Sequence, residues 1–407
     1  MRILEVNKFC YGRRGAERHF LDVIGLLSRN GHDVAVFSMR DPRNCPTGHP
    51  EYLLSRAGFA SGDHTGPREF AKGIGRLFWS FEGRRLMRRA LEEFDPDIVH
   101  IHNAYHQLSP SFFPVIRYRG IPIVLTVHDY HIVSPDKDAY HDEVGTAYWK
   151  YLRIGRDPLP KRILLVLRAY ADRLAGYYTR HVDVFIAPSR FVADTLIRAG
   201  IPARKIVIVP HFVSEEFLPE AGSRVRAEVG PYALYAGAVA PEKGIGNLVS
   251  VFEKLRYPLV LAGRRTMDIP SSRYVRYAGD LTREELGPLM SGASFVVSAS
   301  RLNETFGLIA LEANAAGKAF VGYSVGAFPE MIENGVNGWL ADTDKSFERS
   351  LEGLISGRKR LPEAESLRRR SRERYGADRY HRSLESVYRD TIAKKPAQDT
   401  MIRPSSA

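Results

Sequence analysis

The sequence predicts an α/β protein of two domains, each a parallel β-sheet covered by helices. Its 407 residues exceed the length at which a single hydrophobic core usually stops growing, roughly 250–300 residues. Short apolar runs alternate with longer helical stretches along nearly the whole chain, which is typical of parallel sheets. A polar stretch that contains Gly and Pro, residues 214–230, interrupts this alternation and indicates the domain boundary.

The predicted strands are short apolar runs rich in Val, Ile and Leu. In the first half of the chain they are residues 2–6, 32–38, 97–102, 122–128, 183–189 and 205–212. In the second half they are residues 232–239, 257–263, 275–281, 293–300, 318–324 and 338–342. Because most residues in these runs are apolar, both faces of each strand are expected to be buried. The stretch 16–31 has apolar residues at helical spacing and ends at Gly31, as a helix with a glycine C-cap does.

These elements predict two α/β domains in series. The N-terminal domain is expected at residues 1–213 and the C-terminal domain at 214–376. A C-terminal helix is expected at 377–394, packing back on the N-terminal domain, and a flexible tail at 395–407. Open parallel sheets bind ligands at the carboxyl ends of their strands, so a cleft between two such edges is the expected place for substrates.

The composition favours a cytoplasmic protein. Cys10 and Cys45 are the only cysteines of the sequence, too few for a disulfide framework, and a reducing compartment is expected. No apolar stretch of the sequence approaches the roughly 20 residues that span a bilayer.

Positive charge is the most unusual feature of the composition. The net charge of +12 favours anionic partners, such as phosphate-bearing substrates and acidic lipids. Residues 67–91 carry seven Arg and Lys against two Glu, interleaved with aromatic residues. This stretch has two interpretations: it lies on an anionic membrane at its inner face, or it is an ordinary amphipathic helix that packs on its own domain with a solvated basic face. No recognised nucleic-acid-binding motif accompanies the charge, so nucleic acid is not an expected partner.

A candidate ligand site lies in the stretch ASRLNETFGLIALEANAAGKAFVG, residues 299–322. A strand is predicted at its start and a helix from Phe306, ended by Gly317, follows a loop, so the free amides near Phe306, Gly307 and Leu308 are expected to bind phosphate. Glu304 precedes this helix and Glu312 lies about two turns inside it, a span of roughly 12 Å. Carboxylates at the two ends suit the hydroxyls of a sugar and a ribose. By spacing alone, an ion-paired structural glutamate is an equally good interpretation of either one.

The same stretch, with FG after the first glutamate and GAFPEMIENGVNGWL downstream, resembles the nucleotide-sugar end of the family-4 retaining glycosyltransferases of the GT-B fold. Further similar motifs occur in the same order at residues 12–38, 95–103, 123–131, 186–213 and 235–245. The resemblance implies a GT-B architecture, in which two Rossmann-like parallel-sheet domains face each other across a cleft.

The resemblance assigns roles to individual residues. It implies that Gly15 lies in the loop near the donor diphosphate and that His128 lies near the transferred sugar. Gly237 ends a strand beside the diphosphate, which Lys243 binds. A turn glycine, a core histidine and an exposed loop lysine are the structural alternatives for Gly15, His128 and Lys243. Glu304 then lies at the sugar and Glu312 at the ribose.

One position departs from the family pattern. The glycine that corresponds to Gly237 is commonly followed by an arginine that joins the lysine on the phosphates, whereas this sequence has Ala238. Arg264 and Arg265, after the next predicted strand, are the candidates to supply the missing charge.

The function implied is retaining, metal-independent transfer of a sugar from a nucleotide-diphosphate donor to a glycan, lipid-linked or small-molecule acceptor, without a cofactor. Catalytic roles fall to His128, Glu304 and Lys243. A nucleotide-sugar epimerase of the same fold, or a non-catalytic glycan- or membrane-binding protein on a degenerate scaffold, remain alternatives. The donor sugar, the acceptor and the linkage do not follow from the sequence.

Two patterns that resemble metal sites are set aside. The sequence DPD at 95–97 opens a strand, so it lies at the sheet edge away from the expected cleft and indicates a turn. The histidines at 100, 102, 128 and 131 lack a Cys or carboxylate set at a recognisable spacing, so no metal site is expected.

Overall fold

The computed structural model describes residues 1–12, 15–46, 49, 52–57, 67–105, 107–155, 157–213 and 230–394, and these form two compact units. Unit 1 contains Met1–Pro188, Val192–Val209 and the chain from His381, and unit 2 contains Ser189–Phe191 and Pro210–Tyr380. Apart from Gly230, the predicted linker at 214–230 lies outside the described residues, as does the predicted tail at 395–407.

The sheet of unit 1 consists of parallel strands, as the sequence predicts. The strands are β1 (Arg2–Asn7), β2 (Asp33–Met39), β3 (Tyr52–Leu54), β4 (Ile98–Asn103), β5 (Ile123–Thr126), β6 (Val184–Ala187) and β7 (Ile206–Ile208). Their order across the sheet is β3-β2-β1-β4-β5-β6-β7. The central strands β4 and β5 are buried along their whole length, because helices cover both faces.

Two strands of unit 1 differ from the prediction. β3 is absent from the predicted set, because its three residues YLL are too few to form a recognisable run. β7 was expected to be buried on both faces, and this is wrong: Val207 and Ile208 are exposed, because β7 is the edge strand of the sheet.

The helices of unit 1 surround this sheet. They are α1 (Gly15–Arg29), α2 (Pro67–Phe78), α3 (Phe81–Glu93), α4 (Phe113–Tyr118), α5 (Tyr151–Ile154), α6 (Leu159–Ala175), α7 (Tyr177–His181) and α8 (Arg190–Arg198), which belongs to unit 1 from Val192 onward. The basic stretch 67–91 is therefore two helices rather than one. The break comes at Ser80, whose hydroxyl accepts a hydrogen bond from the amide of Gly83 at 2.9 Å and so caps α3.

Unit 2 repeats the architecture with a second parallel sheet. Its strands are β8 (Ala233–Ala236), β9 (Leu259–Ala262), β10 (Val275–Gly279), β11 (Phe295–Val297), β12 (Phe320–Tyr323) and β13 (Gly338–Ala341), in the order β10-β9-β8-β11-β12-β13. Its helices are α9 (Ile245–Leu255), α10 (Arg283–Gly292), α11 (Leu308–Ala315), α12 (Phe328–Met331), α13 (Asp344–Ile355) and α14 (Ala364–Tyr375). Two apolar clusters, one on each face of the sheet, form its core.

The last described helix, α15 (Ala377–Ala393), belongs to unit 1 from His381 onward. Its Tyr388 is fully buried beside Glu5 of β1 and His100 of β4. Among the residues described, none of the helices has the length and apolar character that a bilayer-spanning segment needs.

Candidate active site

In unit 2 the chain changes direction across the sheet between β8 and β11. From β8 it proceeds outward through β9 and β10, and then returns to β11 and continues through β12 and β13. The carboxyl ends of β8 and β11 therefore flank the topological switch point, where open α/β sheets bind ligands. Lys243 follows β8 and Glu304 follows β11, so the topology brings these two predicted residues to the same edge.

The turn that carries Lys243 lies directly against the end of β11. Lys243 ends a short 3₁₀ turn, and Gly244 at its end begins α9 with a φ of +72°. A side chain at Gly244 would collide with the carbonyl oxygen of Ala299, just beyond β11. Glycine is therefore required for the close approach that brings the lysine to the neighbouring strand.

Lys243 and Glu304 form an ion pair. The Lys243 Nζ atom donates a hydrogen bond to Oε1 of Glu304 at 2.6 Å, and the two side chains are 26% and 30% exposed. The Glu304 backbone is fixed from the other side, because its carbonyl accepts a hydrogen bond from the amide of Ala327 at 3.0 Å. The pair is thus held by the ends of β8, β11 and β12, within reach of solvent and of a ligand.

The helix after Glu304 begins later than the sequence predicts. Gly307 is the N-cap residue, with a φ of +88°, and α11 starts at Leu308 rather than at Phe306. Gly307 has no side chain that could cap this end, and the amides of the first turn carry the positive partial charge that attracts anions. A Cβ at Gly307 would lie 2.5 Å from the ring of Phe328. Phe306 itself is 3% exposed and packs in the core against His211 and Tyr375.

Glu312 lies in the second turn of α11 and is half-buried. Its neighbours Leu311 and Ala313 are buried in the core, so the glutamate lies at the margin of the packed face of the helix. The helix thus carries a carboxylate that keeps access to solvent, four residues beyond Leu308.

The arginines that could replace the missing family arginine differ in their surroundings. The carbonyl of Arg264 accepts a hydrogen bond from the amide of Val239 at 2.9 Å, so Arg264 lies beside the loop that contains Ala238. The guanidinium of Arg265 is bound to Asp268 at 2.7 Å and lies over the ring of Tyr277. The Arg264 side chain is exposed and makes no ion pair with the described residues. Arg264 is therefore the better placed of the two to meet an added anion.

In unit 1, His128 ends a chain of three side chains that crosses neighbouring strands. Nε2 of His128 lies 2.8 Å from Nδ1 of His102, and Nε2 of His102 lies 3.0 Å from Oε2 of Glu5. Glu5 belongs to β1, His102 to β4, and His128 follows β5. The topological switch point of this sheet lies between β1 and β4. Glu5 and His102, the first two side chains of the series, therefore belong to the two strands between which such sheets bind ligands.

The protonation of this chain follows from its burial. Burial alone would raise the pKa of the Glu5 carboxyl, but the charge of His100 and the hydrogen bonds from His100 and His102 outweigh it and lower the pKa to about 2. Burial, followed by the charge of His100, lowers the pKa of His102 to about 4 against the opposing effect of Glu5. At neutral pH Glu5 is therefore a carboxylate and His102 a neutral imidazole.

A second branch leads from Glu5 to His100. Nδ1 of His100 lies 3.0 Å from Oε1 of Glu5 and 2.6 Å from the hydroxyl of Tyr388, and its Nε2 lies 2.8 Å from the hydroxyl of Thr126. Glu5, His100 and His102 each bring one potential metal-ligating atom to within 4.8 Å of the others. Because both nitrogens of each histidine already lie at hydrogen-bond distance from a protein atom, hydrogen bonding accounts for the cluster.

The remaining predicted residues lie apart from these two clusters or at their margin. Gly15 begins α1, the helix that also carries His19, whose ring lies 5.6 Å from the ring of His128. His131 belongs to a separate contact, in which its Nε2 lies 2.9 Å from the buried guanidinium of Arg168. The prediction that DPD directly precedes a strand is confirmed: β4 begins at Ile98, and the side chain of Asp97 accepts a hydrogen bond from the amide of Arg2 at 2.7 Å.

Comparison with known families identifies the chain. The sequence model of Glycosyltransferase Family 4 matches residues 13–217, which is about half of the chain, and the model of Glycosyl transferases group 1 matches residues 222–374. The chain is a family-4 glycosyltransferase. The resemblance on which the residue assignments depend is thereby confirmed.

Relatives and solved structures agree with this family. Among curated proteins, the glycosyltransferase is 26% identical to the glycogen synthase of Mycobacterium tuberculosis over 353 residues, which covers 80% of this chain and 78% of that protein. The sucrose-phosphate synthase of Thermosynechococcus elongatus has the same fold, with a TM-score of 0.71 at 18% identity over 96% of this chain and 99% of that one. The Anabaena protein HepE in complex with UDP-glucose superimposes with a TM-score of 0.67 at 17% identity, over 95% and 99% of the two chains. The predicted GT-B fold with two Rossmann-like domains is confirmed.

Sequence reasoning missed two acidic residues of this glycosyltransferase. Glu5 stands in an apolar strand, and its partners lie 95 and 97 positions away, so spacing gave no signal. Asp129 follows His128 directly; burial raises the pKa of its carboxyl to about 6, against the charge of Lys8. The signal that could have indicated a role for Glu5 is an acidic residue within the apolar predicted strand RILEV, since this strand pairs with the histidine-containing strand IVHIH.

Proposed function

We propose that this glycosyltransferase moves a sugar from a nucleoside diphosphate to a hydroxyl of a glycan, lipid-linked or small-molecule acceptor, with retention of the anomeric configuration. The observation that carries the proposal is the Lys243–Glu304 pair at the switch point of unit 2, where Glu304 lies four residues before the start of α11. HepE, which has the same fold, is described in complex with UDP-glucose, and a donor of that class supports the proposal.

The donor diphosphate is proposed to bind between Lys243 and the first turn of α11. The Lys243 ammonium and the amides from Leu308 onward offer positive charge to the phosphates, and Arg264 adds a third positive group beside Gly237. When the donor binds, the ammonium of Lys243 pairs with the phosphates instead of Glu304. The carboxylate of Glu304 then accepts hydrogen bonds from the sugar.

Glu312 is proposed to bind the ribose of the nucleotide. Its position one turn beyond the phosphate-binding amides matches the order of groups in a nucleoside diphosphate, in which the ribose follows the phosphates. A half-buried carboxylate accepts hydrogen bonds from both ribose hydroxyls.

The reaction is proposed to take place on one face of the sugar. The bond between the anomeric carbon and the diphosphate oxygen breaks, the acceptor oxygen forms its bond to the same face, and its proton passes to the leaving phosphate. Lys243 and the α11 amides stabilise the negative charge that develops on the diphosphate. His128 orients the sugar, and Glu304 faces the positive charge of its ring. No side chain acts as a covalent nucleophile.

The proposal includes neither a metal ion nor an organic cofactor. The positive charge that a metal would supply to the leaving diphosphate comes instead from Lys243, Arg264 and the helix amides. The transfer rate should therefore be the same in EDTA as in a magnesium buffer, and a rate that depends on added metal would overturn this part.

We further propose that the enzyme works in the cytoplasm at an anionic membrane surface. Phe78, Trp79 and Phe81, at the junction of α2 and α3, are exposed, and Phe81 is 81% exposed. α2 packs against α6, whose residues Leu159, Ile163, Leu167 and Leu174 form an exposed apolar stripe. Arg85, Arg88 and Arg89 of α3 are exposed, and Arg84 lies over the ring of Trp79 at 4.6 Å. Apolar side chains among arginines suit the boundary between lipid headgroups and acyl chains.

Donor binding and turnover test the transferase proposal. Calorimetry with UDP, GDP and ADP is expected to reveal one nucleotide that binds, and Glu312→Ala should weaken that binding by about tenfold. The matching nucleotide sugars are then supplied with and without a mixture of glycan and lipid-linked acceptors. Sugar transfer supports the proposal; turnover without acceptor indicates an epimerase, and no nucleotide binding indicates a non-catalytic protein.

Flotation with anionic vesicles tests the membrane proposal. The protein is expected to float with phosphatidylglycerol vesicles at low salt, and the triple change Phe78→Ser, Trp79→Ser and Phe81→Ser should abolish flotation. Tyr118→Ser is the matched control, because Tyr118 of α4 is 89% exposed and lies outside the aromatic junction. A triple variant that floats as well as the wild type contradicts the proposal.

A further inference from the structure

Unit 1 contains a buried chain of hydrogen-bonded side chains, two of which, Glu5 and His102, have no role in the proposed mechanism. It runs from Glu5 through His102 to His128, and only His128 is placed near the sugar. Glu5 is 0% and His102 3% exposed, whereas His128 is half-buried at the end of the chain. Burying a carboxylate and two imidazoles costs stability unless every polar atom is paired, so such a chain is expected to serve a purpose beyond packing.

The direction of each hydrogen bond follows from Glu5. A carboxylate only accepts hydrogen bonds, so the proton between Glu5 Oε2 and His102 Nε2 belongs to His102. A neutral imidazole carries one proton, so Nδ1 of His102 holds a lone pair. The proton in the 2.8 Å contact between His102 Nδ1 and His128 Nε2 must then come from His128.

We infer that Glu5 and His102 are positioning residues that fix His128 in the Nε2–H tautomer, so that Nδ1 of His128 accepts a hydrogen bond from a hydroxyl of the transferred sugar. This inference rests on the proposed function, because it needs a sugar at His128. The opposite tautomer would present an N–H at Nδ1, which can only donate to the oxygen of the hydroxyl and cannot accept its proton.

Packing holds the two imidazole rings in the orientation that this chain requires. The ring planes of His102 and His128 lie within 21° of each other, as a hydrogen bond between ring nitrogens requires, and Phe20 meets the ring of His102 edge-on at 5.1 Å. His19 meets the ring of His128 edge-on at 5.6 Å. The rotation of each ring is therefore restricted by α1 as well as by its hydrogen bond, and the tautomer and the direction of the lone pair are set together.

The tautomer can be measured directly in the free protein. Nitrogen-15 NMR of the full chain with labelled histidines distinguishes a protonated Nε2 from a protonated Nδ1, and the His102→Asn and His128→Asn variants assign the signals. We expect both His102 and His128 to carry their proton on Nε2 at pH 7.5. A proton on Nδ1 of His128 overturns the inference, as does a stoichiometric metal ion on the purified protein, because a metal-bound nitrogen cannot make these hydrogen bonds.

Binding then tests whether the tautomer matters for the sugar. His102→Phe keeps the ring but removes the acceptor, and is expected to weaken UDP-glucose binding by about tenfold while UDP binding stays unchanged. His102→Asn can keep an acceptor for His128 and should stay within threefold of the wild type. Tyr388→Phe is the control, because it removes a hydroxyl that contacts His100 Nδ1 and the Oε1 atom of Glu5 but leaves the bond between Glu5 Oε2 and His102 in place. Equal losses for UDP and UDP-glucose in His102→Phe indicate a structural role and overturn the inference.

The two measurements separate failure of the inference from failure of the proposed function. Unchanged UDP-glucose binding in His102→Phe overturns the inference even when the enzyme transfers sugar. A protein that binds neither UDP nor UDP-glucose and transfers no sugar removes the proposed function, while the NMR experiment still decides the tautomer.

Discussion

Replacing Lys243 by methionine separates the contribution of the lysine to donor binding from its contribution to stability. The ammonium lies 2.6 Å from Glu304, and the two side chains are 26% and 30% exposed. Ion pairs that reach solvent contribute about 0–1 kcal/mol to folding. The Lys243→Met variant should therefore lose no more than about 1 kcal/mol of unfolding free energy.

The effect on donor binding should be much larger. A hydrogen bond from an ammonium to a phosphate contributes about 1.5–3 kcal/mol, which corresponds to a factor of roughly 10 to 150 in the dissociation constant. Isothermal calorimetry with the nucleoside diphosphate that binds the wild type measures this factor. Thermal unfolding of the same samples measures the stability.

A matched control is available in unit 2. Lys254 pairs with Glu348 at 2.5 Å on α9 and α13, away from the end of β8, and Lys254→Met should leave nucleotide affinity unchanged. Glu304→Gln provides a second contrast: it removes the negative charge that competes with the phosphates, so affinity for the nucleoside diphosphate should stay the same or increase while sugar transfer falls. Equal nucleotide affinity for Lys243→Met and Lys254→Met would refute the reasoning.

Three further predictions concern single residues. Arg264→Ala should weaken nucleoside diphosphate binding by about tenfold in calorimetry. Arg265→Ala should change this affinity less than threefold, because the guanidinium of Arg265 is already paired with Asp268. A larger loss of affinity in Arg265→Ala than in Arg264→Ala would contradict the assignment. Burial raises the pKa of Asp129 to about 6, so its ionisation costs the folded state stability as the pH rises from about 4 to 6. Asp129→Asn should therefore be more stable than the wild type at pH 7, by up to about 3 kcal/mol, with no difference below pH 4, and urea titrations at the two pH values check this. Gly307→Ala should lower the free energy of unfolding by about 1–3 kcal/mol more than Gly335→Ala. Both glycines have a positive φ, but only at Gly307 would the added methyl group contact a ring, that of Phe328. Equal decreases in the melting temperature would contradict this packing.

Much of the fold could be predicted from the sequence, because apolar strands and helical stretches alternate with little ambiguity. β3 and the exposed edge of β7 could not be predicted, because a three-residue strand gives no periodic signal and an apolar run does not reveal whether a neighbouring strand covers it. The start of α11 was placed two residues too early, since the left-handed conformation of Gly307 depends on the packing of the turn rather than on the local sequence.

The candidate site was predictable only in part, for a similar reason. Lys243 and Glu304 lie 61 residues apart in the chain, and only a family resemblance linked them before the sheet order brought them together. The role of Glu5 could not be predicted, because its hydrogen-bond partners depend on the register between β1 and β4, where Glu5 lies beside His100. A single acidic residue in an apolar strand does not indicate which strand will pair with it in the sheet.

The central claim is that the diphosphate of the donor binds between the ends of β8 and β11. A crystal structure of the protein grown with the nucleoside diphosphate tests it most directly. The account predicts phosphate oxygens within hydrogen-bond distance of Lys243 Nζ and of the first amides of α11, from Leu308 onward. Phosphates bound elsewhere, with Lys243 still paired to Glu304, would contradict it.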